Sequence, residues 1–355
     1  MHKHNFYAGP GILPASVLEQ ASAAIKDFSN MGLSVLEISH RSKPFEAAMD
    51  ESHAIVHELT GLGDDYAVLF LSGGASSQFF MIPMNILRDQ EKACYINTGT
   101  WATNAIKEAK NFGQVDVIAS SEHDQFRHIP KQYSIPADAA YLHITSNNTI
   151  YGSQYQKFPD SPIPLVCDMS SDIFSKRVDF SRFDLIYAGA QKNMGPAGVT
   201  LVIIKKSLLN RSGRKIPTML NYQTHADKGS MYNTPPVFSI YVSLLTMRWI
   251  KAMGLENMEK RNLAKADCLY DEIDRNSCFQ GTVHKEDRSW MNVVFVPTKS
   301  EYESKFLEEC KKAGCVGLEG HRSVGGFRAS LYNALELDSV KILVEVMKDF
   351  EAKHG

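Results

Sequence analysis

At 355 residues the chain is longer than one ordinary domain, and its 44% hydrophobic and 22% charged residues suit a globular protein with sizeable buried cores. Lys and Arg number 38 against 40 Asp and Glu, so the formal charge of -2 offers no field for a polyanion and argues against a nucleic-acid partner. The opening MHKHNFYAGPGILP lacks the apolar core of a signal peptide, and no run reaches the roughly 18 apolar residues that cross a bilayer, so a cytoplasmic protein with no membrane partner is expected.

Short apolar runs rich in β-branched residues occur at Val68–Leu71, Val115–Ile118, Ala140–Thr145, Pro164–Cys167, Leu185–Ala190 and Val199–Ile204. None alternates strictly, which is the pattern of strands buried on both faces. Helical stretches such as Trp101–Asn111 fall between several of them, so the expected fold class is α/β, a mainly parallel sheet covered by helices on both faces. Pro83 lies inside the helical stretch that follows Gly73-Gly74 and predicts a kink or a short first helix.

After about Leu255 the pattern changes. A long polar helix is expected to keep Leu263, Ala266, Tyr270 and Ile273 on one face, a strand follows at Met291–Val296, and a last helix carries Val340, Leu343, Val344 and Met347. These elements predict a smaller α+β domain. The division expected is 16–255 and 256–355, with 1–15 packing on the second part.

The six cysteines contain no CxxC pair, so neither a zinc site nor a disulfide framework is expected and most should be reduced and buried. His53 and His57 share a helical face, but HExxH and a third ligand are absent, and no metal site is expected there.

The segment Asp184–Gly198, DLIYAGAQKNMGPAG, carries the most chemical information. An apolar strand stops at Gln191-Lys192 and small residues follow. A lone lysine in such a place is ordinarily exposed. Apolar packing around Lys192 would instead disfavour its charged form, which is what a Schiff-base amine needs. Asp168 ends another buried-strand pattern and would face the same crevice at the carboxyl ends of the strands. There it either pairs with a pyridinium nitrogen or caps a helix from Ser170 onward.

LFLSGGASSQ runs from a strand into a helix start, where unpaired backbone N–H groups and the positive end of the helix dipole can cradle phosphate. Trp101 could stack on a flat heteroaromatic ring or simply fill a core. Asn233-Thr234-Pro235-Pro236 opens a further helix, with capping as the plain reading. His40-Arg41 and His321-Arg322, with Arg328, offer donors suited to carboxylate and phosphate, although each alone reads as a surface pair.

Taken together, the HR pair at His40-Arg41, GGASSQF, TGTW, NNTI, Asp168, YAGAQKNMGPAG, YNTPP and HRSVGGFRAS resemble the phosphoserine aminotransferase family along essentially the whole chain. The resemblance implies a seven-stranded fold-type I architecture, pyridoxal 5'-phosphate as cofactor, and a homodimer with shared active sites. It also implies glutamate as amino donor to 3-phosphohydroxypyruvate in serine biosynthesis, and in many bacterial members a second role on a phosphorylated hydroxythreonine in pyridoxine biosynthesis. It makes Lys192 the cofactor-bearing lysine and general base, Asp168 the pyridinium partner and Trp101 the stacked ring. Thr149 and Gln191 would flank the cofactor, Ala75 and Ser76 would offer backbone N–H groups to its phosphate, and Asn233 and Thr234 would reach that phosphate from the partner subunit. Arg328 would hold the substrate carboxylate, and His40, Arg41, His321 and Arg322 the distal phosphate or carboxylate. Some relatives carry Gly-Arg where this chain has Ala75-Ser76, which leaves only backbone contacts at that point.

Two other classes compete. A cysteine desulfurase on the same fold would need a poised thiol, for which Cys315 is the sole candidate, and its neighbours supply no base. A non-catalytic binding protein would have no use for Lys192 together with Asp168.

Overall fold

The computed structural model describes residues 3–355. A short strand β1 (His4–Asn5) leads to helices α1 (Ala15–Lys26) and α2 (Lys43–Thr60). An alternating run follows: β2 (Tyr66–Leu71), α3 (Gly74–Ile86), β3 (Lys92–Asn97), α4 (Thr100–Ala109) and β4 (Gln114–Ser120). Four strands come next, β5 (Leu142–Thr145), β6 (Leu165–Asp168), β7 (Leu185–Gly189) and β8 (Thr200–Lys205), then α5 (Tyr222–Asp227) and α6 (Val237–Met253). The remainder comprises α7 (Leu255–Arg275), β9 (Phe279–Gly281), β10 (Asn292–Pro297), α8 (Tyr302–Lys312), β11 (Cys315–Val316), β12 (Phe327–Ser330) and α9 (Leu337–His354).

Strands β2 to β8 form one seven-stranded sheet in the order β2-β8-β7-β6-β5-β3-β4. Only β8 runs against its neighbours, so the sheet is mainly parallel with one reversed strand. The cores explain why the strands read as unbroken apolar runs. Tyr66, Val68 and Phe70 of β2 join the core beneath α2 and α6, whereas Ala67, Leu69 and Leu71 join the core beneath α3 and α4. Both faces are therefore buried.

Strand β4 departs from that expectation. It is the sheet edge and is largely exposed, with Val117 outward, because β3 is its sole neighbour. Helix α3 also departs, since it runs through Pro83 without interruption. The proline sits in the last turn, where its missing N–H costs little continuing helix.

The second unit is a three-stranded antiparallel sheet, β12-β10-β9, packed against α7, α8 and α9 around Phe279, Phe295, Phe306 and Phe350. On α7 the buried stripe is Ala266, Leu269, Tyr270 and Ile273, while Leu263 turns outward, one step off the expected face. The N-terminal segment returns to this unit. Strand β1 pairs with β11, and Phe6 enters the phenylalanine core.

Candidate active site

The parallel strands end on one side of the large sheet, and the turns leaving β2, β3, β5, β6 and β7 meet there. This is where an open α/β sheet leaves backbone groups unpaired and space for a ligand. Asp168 is the last residue of β6, in register with Thr145 of β5 and Tyr187 of β7. Its Oδ1 accepts hydrogen bonds from Ser170 N at 2.9 Å and Ser170 Oγ at 2.6 Å. A turn follows rather than a helix, so capping does not explain this carboxylate. Burial pushes the Asp168 carboxyl up, while Lys192 and the hydrogen bonds from Ser170 and Tyr187 pull it down. Behind it, His143 Nε2 lies 2.9 Å from the Tyr187 hydroxyl, and burial lowers His143 to about 3, so that imidazole is neutral.

Lys192 follows β7 through the buried Ala190. Its Nζ donates to Thr149 Oγ1 at 2.7 Å and lies 5.3 Å from the centre of the Trp101 ring. Burial lowers the Lys192 amine to about 8; Asp168 opposes this fall and Arg328 adds to it. A minor neutral fraction near physiological pH follows, the form that acts as nucleophile and base. Gln191 packs against Gly9 and Gly189, at the rim of the same turn.

Two donors here have no hydrogen-bond partner among the described residues. Trp101 Nε1 and Arg328 Nε are both buried and unbonded. The guanidinium of Arg328, on β12, reaches from the small sheet to Thr149 O at 3.4 Å. His321 lies near Arg328 and Arg322, whose charges add to burial in lowering its imidazole. The loop that carries His321 is tight, with the His321 carbonyl accepting from both Val324 N and Gly325 N.

The turn from β2 into α3 uses Gly73 at φ 105° and Gly74 at φ 70°, backbone that favours glycine. A Cβ on Gly73 would stand 2.1 Å from Ser77 Oγ, so the turn admits no side chain there. No side chain caps α3, which leaves the first-turn N–H groups, those of Ala75 and Ser76 among them, open to a ligand. Asn233 lines a cavity of about 240 Å³ with Gly73 and Ser77. Its amide donates to the carbonyl of the exposed Thr234, and α6 starts just beyond at Val237.

Lys192, Thr149, Trp101 and Arg328 thus form one contact cluster, with the Asp168 charge acting on Lys192 and with His321 and Arg322 on the loop near Arg328; Gln191 precedes Lys192 in the same turn. Among the described residues, no hydrogen bond, ion pair or ring contact joins His40 or Arg41 to them. Arg41 is exposed, and His40 Nε2 is buried without a partner. Cys315 is buried in β11, where burial pushes its thiol up to about 11, the opposite of an activated thiolate. Sequence reasoning missed a second buried carboxylate, Asp172, bonded to Ser146 Oγ and, at 3.0 Å, to Gln154 Nε2. It also missed Asn147, which ties Ser171 to Asn292 of β10. The NNTI segment was the only local signal for Asn147.

Residues 3–343 match the family model described as aminotransferase class-V. The phosphoserine aminotransferase of Flavobacterium psychrophilum is 59% identical over 355 residues, covering 99% of this chain and 100% of that one. The solved phosphoserine aminotransferase from Bacillus circulans subsp. alkalophilus is 45% identical with a TM-score of 0.97, covering 100% of this chain and 99% of that one. A PLP-bound phosphoserine aminotransferase from Trichomonas vaginalis is 35% identical with a TM-score of 0.93, covering 98% of this chain and 100% of that one.

Proposed function

The chain belongs to the class-V aminotransferase family, and from that premise we propose that it is a pyridoxal-phosphate-dependent phosphoserine transaminase. It moves the amino group of L-glutamate to 3-phosphohydroxypyruvate, yielding O-phospho-L-serine and 2-oxoglutarate in serine biosynthesis. The observation that carries this reading is the desolvated Lys192 amine beside Trp101, with the buried Asp168 charge acting on it.

The residues fit the cofactor. Unpaired N–H groups at the α3 start suit its phosphate, a buried carboxylate suits its ring nitrogen, and the unbonded Trp101 Nε1 and Arg328 Nε suit anionic oxygens. When bound, pyridoxal phosphate supplies the electron sink that makes the amino acid Cα–H acidic. Lys192 would hold it through Nζ, and the same amine, neutral in part at physiological pH, is the base that would take the proton from the substrate Cα. Asp168 holds a proton on the ring nitrogen through charge pairing, with Ser170 fixing the carboxylate from behind. Trp101 would exclude water from the cofactor, and Thr149, Gln191 and the backbone N–H groups of Ala75 and Ser76 would hold it.

Arg328 grips the substrate α-carboxylate, and His321 with Arg322 meets the distal phosphate or carboxylate. His40 and Arg41 complete that cluster from the partner subunit, as Asn233 and Thr234 complete the phosphate cup. The lack of any contact between His40 or Arg41 and the Lys192 cluster among the described residues supports the dimer, as do the exposed Leu18, Ile25, Met31, Leu33 and Leu36 of the N-terminal segment. The cofactor-holding part is 16–255 and the smaller part 256–355, joined by 1–15; two cores support this division, although Met258 still packs in the larger one and the smaller core gathers Phe6 and residues from Ala266 onward. The enzyme works in the cytoplasm.

Borohydride reduction of the cofactor-loaded protein followed by peptide mass analysis tests the reading. The cofactor mass should appear on Lys192. Its appearance on another buried lysine, such as Lys176, or on none would overturn the assignment.

A further inference from the structure

Away from the Lys192 cluster, a second group of ligand-type side chains converges where the large and small units meet. Asp124 and His128 lie in the segment after β4, and His284 lies in the segment before β10. His128 Nδ1 is 2.8 Å from Asp124 Oδ2, and His284 Nε2 is 3.4 Å from the same oxygen. One ligand atom from each residue lies within 4.8 Å of the others. Two ligand atoms bound about 2.0–2.1 Å from one tetrahedral ion stand roughly 3.3 Å apart, so the triad needs only small side-chain movements to close on a cation. The two imidazoles are stacked at 5.3 Å, and His123 is a further imidazole 5.7 Å from His128. The three imidazoles line one cavity of about 520 Å³, and Asp124 contacts two of them.

The backbone around the triad is braced. His284 N donates to Arg127 O at 3.0 Å, Ile129 N donates to Asp287 Oδ2 at 2.9 Å, and Lys131 pairs with both Glu286 and Asp287. Such support holds ligands from two chain segments at a fixed spacing, which lowers the ordering cost of binding. An adventitious i,i+4 pair on one helix would not have it. The ligand set of two imidazoles and a carboxylate, with a position left for water, suits a borderline divalent transition metal.

We propose that Asp124, His128 and His284 form a zinc-type divalent transition-metal site that staples the segment after β4 to the segment before β10. The site is structural. The reaction at Lys192 does not use it, and the sequence spacing concealed it because His128 and His284 are distant in the chain.

The test uses tag-free, cofactor-loaded dimer freed of excess cofactor and metal, titrated with zinc chloride by calorimetry, with bound zinc counted by elemental mass spectrometry. One ion per chain is expected. His128→Ala, His284→Ala and Asp124→Asn should each weaken binding at least about tenfold. Zinc should raise the Tm of the parent protein and leave the Tm of the His284→Ala protein unmoved, because only a ligand that binds the folded state stabilises it. His284 is half exposed, so its replacement preserves folding. Absence of stoichiometric zinc, or binding of unchanged affinity in all three variants, would overturn the proposal.

Discussion

Replacing Lys192 by methionine should stabilise the cofactor-free protein while abolishing its chemistry. Burial lowers the Lys192 amine from 10.5 to about 8. Near pH 7 the amine is charged in the unfolded chain and still mostly charged in the folded one, and the fall corresponds to roughly 3 kcal/mol that the folded state gives up to hold that charge. Methionine has similar length and no charge, so it removes this cost. It also removes the bond to Thr149 Oγ1, whose loss takes back about 1 kcal/mol. The net gain is therefore about 2 kcal/mol at neutral pH. The sign reverses its weight with pH: the unfolded chain keeps its proton up to 10.5 while the folded chain loses it above about 8, so the parent recovers stability across that window. Near pH 10.5 the methionine advantage should vanish. Urea unfolding of both proteins at equal concentration, at the two pH values and without cofactor, measures this. No gain at neutral pH, or the same gain at both, would refute the claim that Lys192 is desolvated.

Asp168→Asn should keep the fold and bind cofactor but lose on the order of a hundredfold or more in turnover, since an amide cannot hold the ring nitrogen protonated; steady-state kinetics at saturating cofactor checks it. Arg41→Ala and Arg322→Ala homodimers should each lose affinity for the phosphorylated substrate, equivalent to roughly 2–5 kcal/mol. Heterodimers carrying one mutation per subunit should recover up to about half of parent activity, because both lesions can fall in one of two symmetric sites. Failure to recover in verified heterodimers would reject the shared site. Cys315→Ser should leave transamination unchanged, as expected of a buried thiol pushed up to about 11, and a large loss would reopen the thiol chemistry.

The sheet was legible because strands buried on both faces carry continuous apolar side chains, and the site was legible because its residues sit where those runs stop. Lys192, Asp168 and the Gly73-Gly74 turn each mark such a stop. The reversal of β8 is a tertiary fact, although the short connection from Gly189 to Thr200 leaves little chain for a crossover. The edge position of β4 was hidden, since a strand's own residues do not say how many neighbours it has. Leu263 was misassigned because a helical stripe predicts a face without saying where its boundary falls. The supports behind the site, His143 with Tyr187 and Ser146 with Asp172, join residues far apart in sequence, and nothing local announces them.

The central claim is that Lys192 carries out amino transfer between glutamate and a phosphorylated keto acid. Its most direct test is a coupled assay of purified, cofactor-loaded protein with L-glutamate and 3-phosphohydroxypyruvate, following 2-oxoglutarate and O-phospho-L-serine together, beside Lys192→Ala. The account predicts equal amounts of the two products from the parent and none above background from the variant. No product from the parent, or near-parent rates from Lys192→Ala, would contradict it.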